Sequence, residues 1–283
     1  MLKKAALAFS LLLSVFVVGS HAASGVDEIP FFFSDGFICL QAHVGQSSET
    51  LNFLLDSGAG ASVLDLRTAH RLHLKMGAPQ AVQGVGSEAV AFRMDGVKAA
   101  TGNVCLANLP LAVDLSKADT LCDRPIDGLI GIDFFKDRVV QIDYVKHCLR
   151  LLKPGTQAAQ AAARLPMKMQ NGIVCVPVGV NESKPRWTRL DTGCNDALHW
   201  VVPRPQAVKA PKEVSIGFVT DDRDTALTSV TLGGHTMSNV KTALHGEFLF
   251  PGEAGLLGNG VLSQYLVTVD WPHREVCLQD RAR

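Results

Sequence analysis

The chain has 283 residues, 47% hydrophobic and 19% charged, which suits two modest domains or one large one. Its 27 basic and 27 acidic residues cancel. They form no basic patch or arm, which argues against a nucleic-acid protein, whose phosphate contacts need grouped Lys and Arg.

The N-terminus has the pattern of an export signal. Lys3 and Lys4 open it, Leu7 to Val18 is apolar apart from Ser10 and Ser14, and Ser20-His21-Ala22 gives a small-x-small cleavage site. The apolar run is short for a membrane span, and no Cys sits at the cleavage point. Residues 1–22 are therefore expected to be removed, leaving an exported chain, periplasmic or secreted, with no stable membrane span. That chain carries 25 basic and 27 acidic residues.

Beyond the signal, the sequence repeats itself at long period. The first half reads GFICLQAHVG at 36–45 and LNFLLDSGAGAS at 51–62; the second reads GIVCVPVGVN at 172–181 and TRLDTGCNDA at 188–197. Each is an alternating apolar run, a polar break, a second run and then Asp-Ser/Thr-Gly, the pattern of a hairpin. Cys39 lies 17 residues before Asp56, and Cys175 lies 16 before Asp191. Further on, Asp127-Gly-Leu-Ile-Gly131 matches Ala254-Gly-Leu-Leu-Gly258. Gly131 stands 75 residues after Asp56 and Gly258 stands 67 after Asp191. Asp143-Tyr144 and Asp270-Trp271 come next at equal distance, and each half closes on a short apolar strand. An ordered series of this kind points to duplication. The Pro154-Gly155 break and the Ala/Gln run after it mark a boundary. The expected organisation is a first lobe over 23–153, a linker over 154–167 and a second lobe over 168–283. Both lobes read as mainly β, with a short helix after each Asp motif and after each Leu/Ile-Gly. Leu64 to Leu74 is the best helical stretch.

The Asp motifs carry the chemistry. In Leu54-Leu55-Asp56-Ser57-Gly58 an apolar strand delivers a carboxylate at its end. Gly58 permits a tight turn that can aim N–H groups at it, and Ser57 offers a hydroxyl to buttress the loop. Leu190-Asp191-Thr192-Gly193 repeats the arrangement. One such triplet alone is ordinarily a turn or cap. Two at equivalent places in a duplicated chain would be brought together by twofold packing. Two carboxyls sharing a small site hold one proton between them, and the proton belongs to the pair. The ionised member can take a proton from water as it attacks a peptide carbonyl, while the neutral member hydrogen-bonds the carbonyl oxygen. No cofactor, metal or covalent nucleophile is required.

The seven cysteines, at 39, 105, 122, 148, 175, 194 and 277, lack C-x-x-C spacing. Export permits disulfides, and the repeat suggests Cys39–Cys148, Cys175–Cys277 and Cys105–Cys122, with Cys194 left over. Cys194 could also pack as a small hydrophobe, or react. The histidines show no metal spacing, and His70-x-x-His73 reads as a helix-surface pair.

Together these motifs resemble the pepsin and retropepsin clan of aspartic peptidases. The resemblance covers residues 30 to 280. It implies a bilobal fold of two retropepsin-like closed β-barrels related by a pseudo-twofold axis. It also implies catalytic Asp56 and Asp191, hydroxyls of Ser57 and Thr192 bonding across the dyad, and psi-shaped loops completed by Gly131 and Gly258. A flap closing over substrate is expected at Gly84, Val85 and Gly86. The implied partner is a polypeptide substrate, and a monomer is expected. Lobe two departs from the clan at Cys194-Asn195-Asp196 and lacks a second Gly-x-Gly. Those departures leave an alternative, a catalytically inactive peptide-binding protein on the same fold. A third reading, an unrelated β-sandwich, would place Asp56 and Asp191 far apart.

Overall fold

A computed structural model describes residues 26–83, 88–120, 124–156, 163–202, 214–215, 218–219, 224–247 and 249–280. The export signal lies outside them. Among the described residues, no helix is long and apolar enough to cross a membrane.

The first half runs β1 (Asp27–Ser34), β2 (Phe37–Val44), β3 (Leu51–Leu55), β4 (Val63–Asp65), α1 (Leu66–Arg71), β5 (Pro79–Gln83), β6 (Glu88–Arg93), β7 (Lys98–Thr101), β8 (Val104–Asn108), β9 (Leu111–Val113), β10 (Gly128–Ile130), β11 (Val139–Asp143) and β12 (Cys148–Leu152). The second half runs β13 (Ala163–Pro166), β14 (Lys168–Gln170), β15 (Ile173–Val180), β16 (Arg186–Leu190), β17 (Leu198–Val201), β18 (Val214–Ser215), β19 (Phe218–Val219), β20 (Thr225–Leu232), β21 (His235–His245), β22 (Gly255–Leu257), α2 (Asn259–Leu262), β23 (Tyr265–Asp270) and β24 (Glu275–Asp280).

The fold is mainly β and shows the duplication in its ladders. β3 lies parallel to β10, which lies antiparallel to β4. β16 lies parallel to β22, which lies antiparallel to β17. These two crossings have the form of the psi-shaped loops that the resemblance implied. The hairpins that close the halves, β11–β12 and β23–β24, meet through β11 and β23. β13 joins the far edge of that sheet by pairing with β24, so part of the expected linker is strand.

The halves differ in closure. In the second, the order β15-β16-β22-β17-β21-β20 returns on itself through β15–β20 pairing, giving a closed six-stranded barrel. In the first, the described ladder stays open: β5 and β6 attach only through β9, while β7 and β8 attach to β2, so the two ends do not meet.

The strands bury what their alternation promised. On β2, Phe37, Ile38, Leu40, Ala42 and Val44 are buried, while Gln41 and His43 face solvent. β3 and β10 are covered on both faces and are apolar almost throughout.

α1 is shorter than the stretch Leu64 to Leu74. Val63–Asp65 is held as strand by β9 and β10. The Asp65 side chain then caps the helix by accepting from the N–H groups of Arg67 and Thr68. His73, at φ 53°, ends it in the left-handed region, so His70 and His73 are not two positions of one helix. The helices expected after Gly131 and Gly258 are present, the first as a 3-10 turn over Ile132–Phe134 and the second as α2. After Asp191 the described chain continues as strand β17; the stretch beyond it lies outside the described residues.

Candidate active site

β3 and β16 end at Asp56 and Asp191. Both strand ends are fixed by the psi crossings: the Asp56 N–H donates to Ile130 O (2.8 Å) and the Asp191 N–H to Leu257 O (3.0 Å). Next in sequence come the two turns. The Gly58 N–H donates to Asp56 Oδ1 and the Gly193 N–H to Asp191 Oδ1, each at 2.9 Å.

Ser57 and Thr192 lock the turns together. The Ser57 N–H donates to Thr192 Oγ1 (2.9 Å), and the Thr192 N–H donates to Ser57 Oγ (3.0 Å). The Ser57 hydroxyl donates to Leu190 O (2.7 Å), and the Thr192 hydroxyl donates to Leu55 O (2.9 Å). Both side chains are fully buried, so each of these four bonds satisfies groups that water cannot reach.

This exchange draws each carboxyl against the other turn. A Cβ added to Gly58 would sit 2.5 Å from Asp191 Cγ, and one added to Gly193 would sit 2.5 Å from Asp56 Oδ1. Only glycine admits that approach. The carboxyls of Asp56 and Asp191 are buried, each set against the glycine turn that follows the other. Burial, then the neighbouring Asp191 charge, pushes the Asp56 carboxyl well above the usual range, against the Gly58 N–H and Arg189. Burial also raises Asp191, against Arg189, the Gly193 N–H, the Asp56 hydrogen bond and His199. Two buried carboxyls this close cannot both ionise cheaply.

Gly131 and Gly258 are sites of close approach. A Cβ on Gly131 would meet Ala61 C at 2.6 Å, and one on Gly258 would meet Cys194 O at 2.7 Å. The structure thus brings Asp56, Ser57, Gly58, Thr192 and Gly193 together, with Gly131 and Gly258 directly behind. The flap tip, Gly84-Val85-Gly86, lies outside the described residues. Its flanking strands β5 and β6 form an antiparallel hairpin in register up to Gln83 and Glu88.

The departures in the second motif are explained by contacts. Asn195 packs on the Asp35–Gly36 turn and donates from Nδ2 to Asp35 O (3.1 Å). The Asp196 carboxylate bonds with His199 Nε2 (2.8 Å), and His199 Nδ1 meets His245 Nε2 (3.1 Å), so both ring nitrogens of this buried imidazole are engaged. Three further residues belong to no recognisable motif. Asn259 comes directly after Gly258 and donates from Nδ2 to Thr192 O (2.7 Å) and Gly36 O (2.8 Å), while Tyr144 donates to its Oδ1 (2.7 Å). Arg189 and Glu253 form a buried ion pair beside the Gly58 turn. A charged residue in the apolar run before Asp191 was the available signal.

The expected Cys39–Cys148 and Cys175–Cys277 disulfides do not form. Among the described residues no two cysteines are bonded to each other, and Cys122 lies outside them. Pro30 pairs with Cys148 and Phe32 with Cys39, so β1 stands between those two cysteines. Two strand spacings, about 9–10 Å, exceed the reach of a disulfide. Cys175 and Cys277 lie in different sheets.

The fold is similar to that of aspartic proteinases. A sequence model of the family described as "Aspartyl protease" matches residues 40–134. The crystal structure of an aspartic proteinase from Irpex lacteus is similar over 91% of this chain and 98% of that one, with TM-score 0.55 and 11% identity. No curated protein matches.

Proposed function

We propose that the protein is an exported aspartic endopeptidase, periplasmic or secreted, acting as a monomer on polypeptides, with Asp56 and Asp191 as its catalytic residues. The observation that carries this reading is the reciprocal bonding of Ser57 and Thr192, which holds each buried carboxyl against the turn of the other. The two halves of the chain are read as the two lobes, meeting at the linker over 154–167, and the segment Gly84-Val85-Gly86 as the flap.

In this reading a water bound by the pair loses a proton to the ionised carboxyl as its oxygen bonds to the scissile carbonyl carbon. The neutral carboxyl donates to the carbonyl oxygen as charge develops there. The tetrahedral intermediate then collapses. The C–N bond breaks, the amine leaves with a proton from the pair, and the pair is again singly protonated. Ser57, Thr192, Gly58 and Gly193 hold the carboxyls in place, and Gly131 and Gly258 support the turns from behind.

Digestion of a peptide library by the wild type and by Asp56→Asn and Asp191→Asn, each checked for folding, tests the proposal. Cleavage by the wild type and its loss in both variants are expected. Full activity in either variant overturns the assignment, and peptide binding without cleavage in acid favours the non-catalytic binder.

A further inference from the structure

The repeat makes one substitution conspicuous. In the first half, Leu54 pairs with Cys39 on one side and Leu129 on the other. In the second half the same place in the ladder, between Cys175 and Leu256, is taken by Arg189. Arg189 is only 4% exposed and Glu253 only 1%. The guanidinium forks onto the carboxylate, Nε to Oε2 at 2.7 Å and Nη2 to Oε1 at 2.9 Å. Its remaining arm, Nη1, leaves the second half altogether and donates to Gly58 O at 2.8 Å. The Phe250 ring covers the guanidinium, and Asn171 donates to Glu253 Oε1 (2.9 Å).

A buried ion pair adds little to stability compared with a well-packed apolar pair, and Leu54 fills the equivalent place with no charge at all. What the pair supplies that leucine cannot is a fixed cation against the turn that holds Asp56. We propose that Arg189, clamped by Glu253, is a positioning residue of the Asp56/Asp191 centre. It pins the Gly58 turn from the strand of the other half and supplies the positive charge against which the two carboxyls share a single proton. The inference rests on the peptidase reading for its use in catalysis, but not for its physical content.

Among the described residues, charged and titratable groups lie around the centre on β15, β16, β17 and the turn before β22. His199 on β17 stands on the Asp191 side, held by Asp196 and His245. Glu253 lies just before β22, and Cys175 on β15 is pushed up to about 12 by burial, so it stays neutral. Arg189 acts on both carboxyls in the lowering direction.

The test is a pH titration of the Asp56 and Asp191 side-chain carboxyl carbons by NMR, assigned with the Asn variants, in the whole chain. Replacing the pair, Arg189→Met with Glu253→Met, removes the cation without stranding its partner. Both titration steps of the centre should move up by roughly one pH unit. Glu253→Gln leaves the cation uncompensated, and the steps should move down by a comparable amount. Opposite shifts support the proposal, whereas a purely structural role predicts no shift in either variant and overturns it. If the double variant does not fold, Glu253→Gln decides alone: a downward shift supports the proposal and an unmoved titration overturns it. Because the readout needs no substrate, a protein whose carboxyls shift as expected but which cleaves nothing would refute the peptidase reading and leave this one standing.

Discussion

Replacing Gly193 by Ala isolates the close approach on which the site depends. Gly193 does not use the left-handed region that only glycine tolerates well, so the change acts through space alone. The new methyl would sit 2.5 Å from Asp56 Oδ1 and 2.9 Å from Oδ2. An unstrained contact needs about 3.5 Å, so the carboxyl and the turn must part by about 1 Å. The carboxyl cannot simply retreat, because it is buried and the Gly58 N–H holds it. Overpacking of this kind costs about 1–3 kcal/mol. Displacing a reacting group by about 1 Å costs on the order of 100-fold in rate. Gly193→Ala should therefore lower kcat/KM on a cleaved peptide about 100-fold and lower the urea midpoint. Gly60→Ala is the control, since a Cβ there meets nothing within 4 Å, and it should be neutral in both assays. If Gly193→Ala cleaves within about threefold of Gly60→Ala, a difference of less than 1 kcal/mol, the carboxyl does not sit where this account requires.

The same geometry sets three further outcomes. Thr192→Ala strips the acceptor from the Ser57 N–H and the donor from Leu55 O in a fully buried place; a loss of about 2 kcal/mol is expected in urea unfolding, with Thr192→Ser close to wild type. Because the Asp56 carboxyl lies above its ordinary range, the folded state binds its proton more tightly than the unfolded chain. Its stabilising effect is full below the ordinary carboxylate pKa and is lost as pH rises through the raised value. Asp56→Asn should thus gain about 1 kcal/mol at neutral pH relative to acid, and urea midpoints at the two pH values that change in parallel for both proteins would contradict this. With no disulfide among the described cysteines, a reductant should leave the unfolding midpoint unchanged. Exposed Cys105 should alkylate first, while Cys175, buried and pushed up to about 12, should resist until the chain unfolds.

Much of the site was legible in sequence because its parts are short and repeat. Asp56-Ser57-Gly58 and Asp191-Thr192-Gly193 each carry their carboxylate, hydroxyl and turn within three residues, and Gly131 and Gly258 recur at related distances. What was not legible depends on pairing between distant segments. Arg189 could be seen as a charge in an apolar strand, but its partner Glu253 lies 64 residues away. The symmetric disulfides copied the repeat, yet β1 intervenes between Cys39 and Cys148. The repeat also suggested equal closure of the two halves, and closure is decided by edge strands: β20 reaches β15, whereas β7 and β8 attach to β2. The helix expected from Leu64 began late because β9 and β10 claim Val63–Asp65.

The central claim is that Asp56 and Asp191 together activate water against a peptide bond. Digestion of a defined peptide in oxygen-18 water, read by mass spectrometry, tests it most directly. The account predicts oxygen-18 in the new carboxyl terminus, no acyl-enzyme trapped by hydroxylamine, and no product with folded Asp191→Asn. No cleavage by the wild type from acid to neutral pH, a trapped acyl-enzyme, or cleavage undiminished in Asp191→Asn would contradict it.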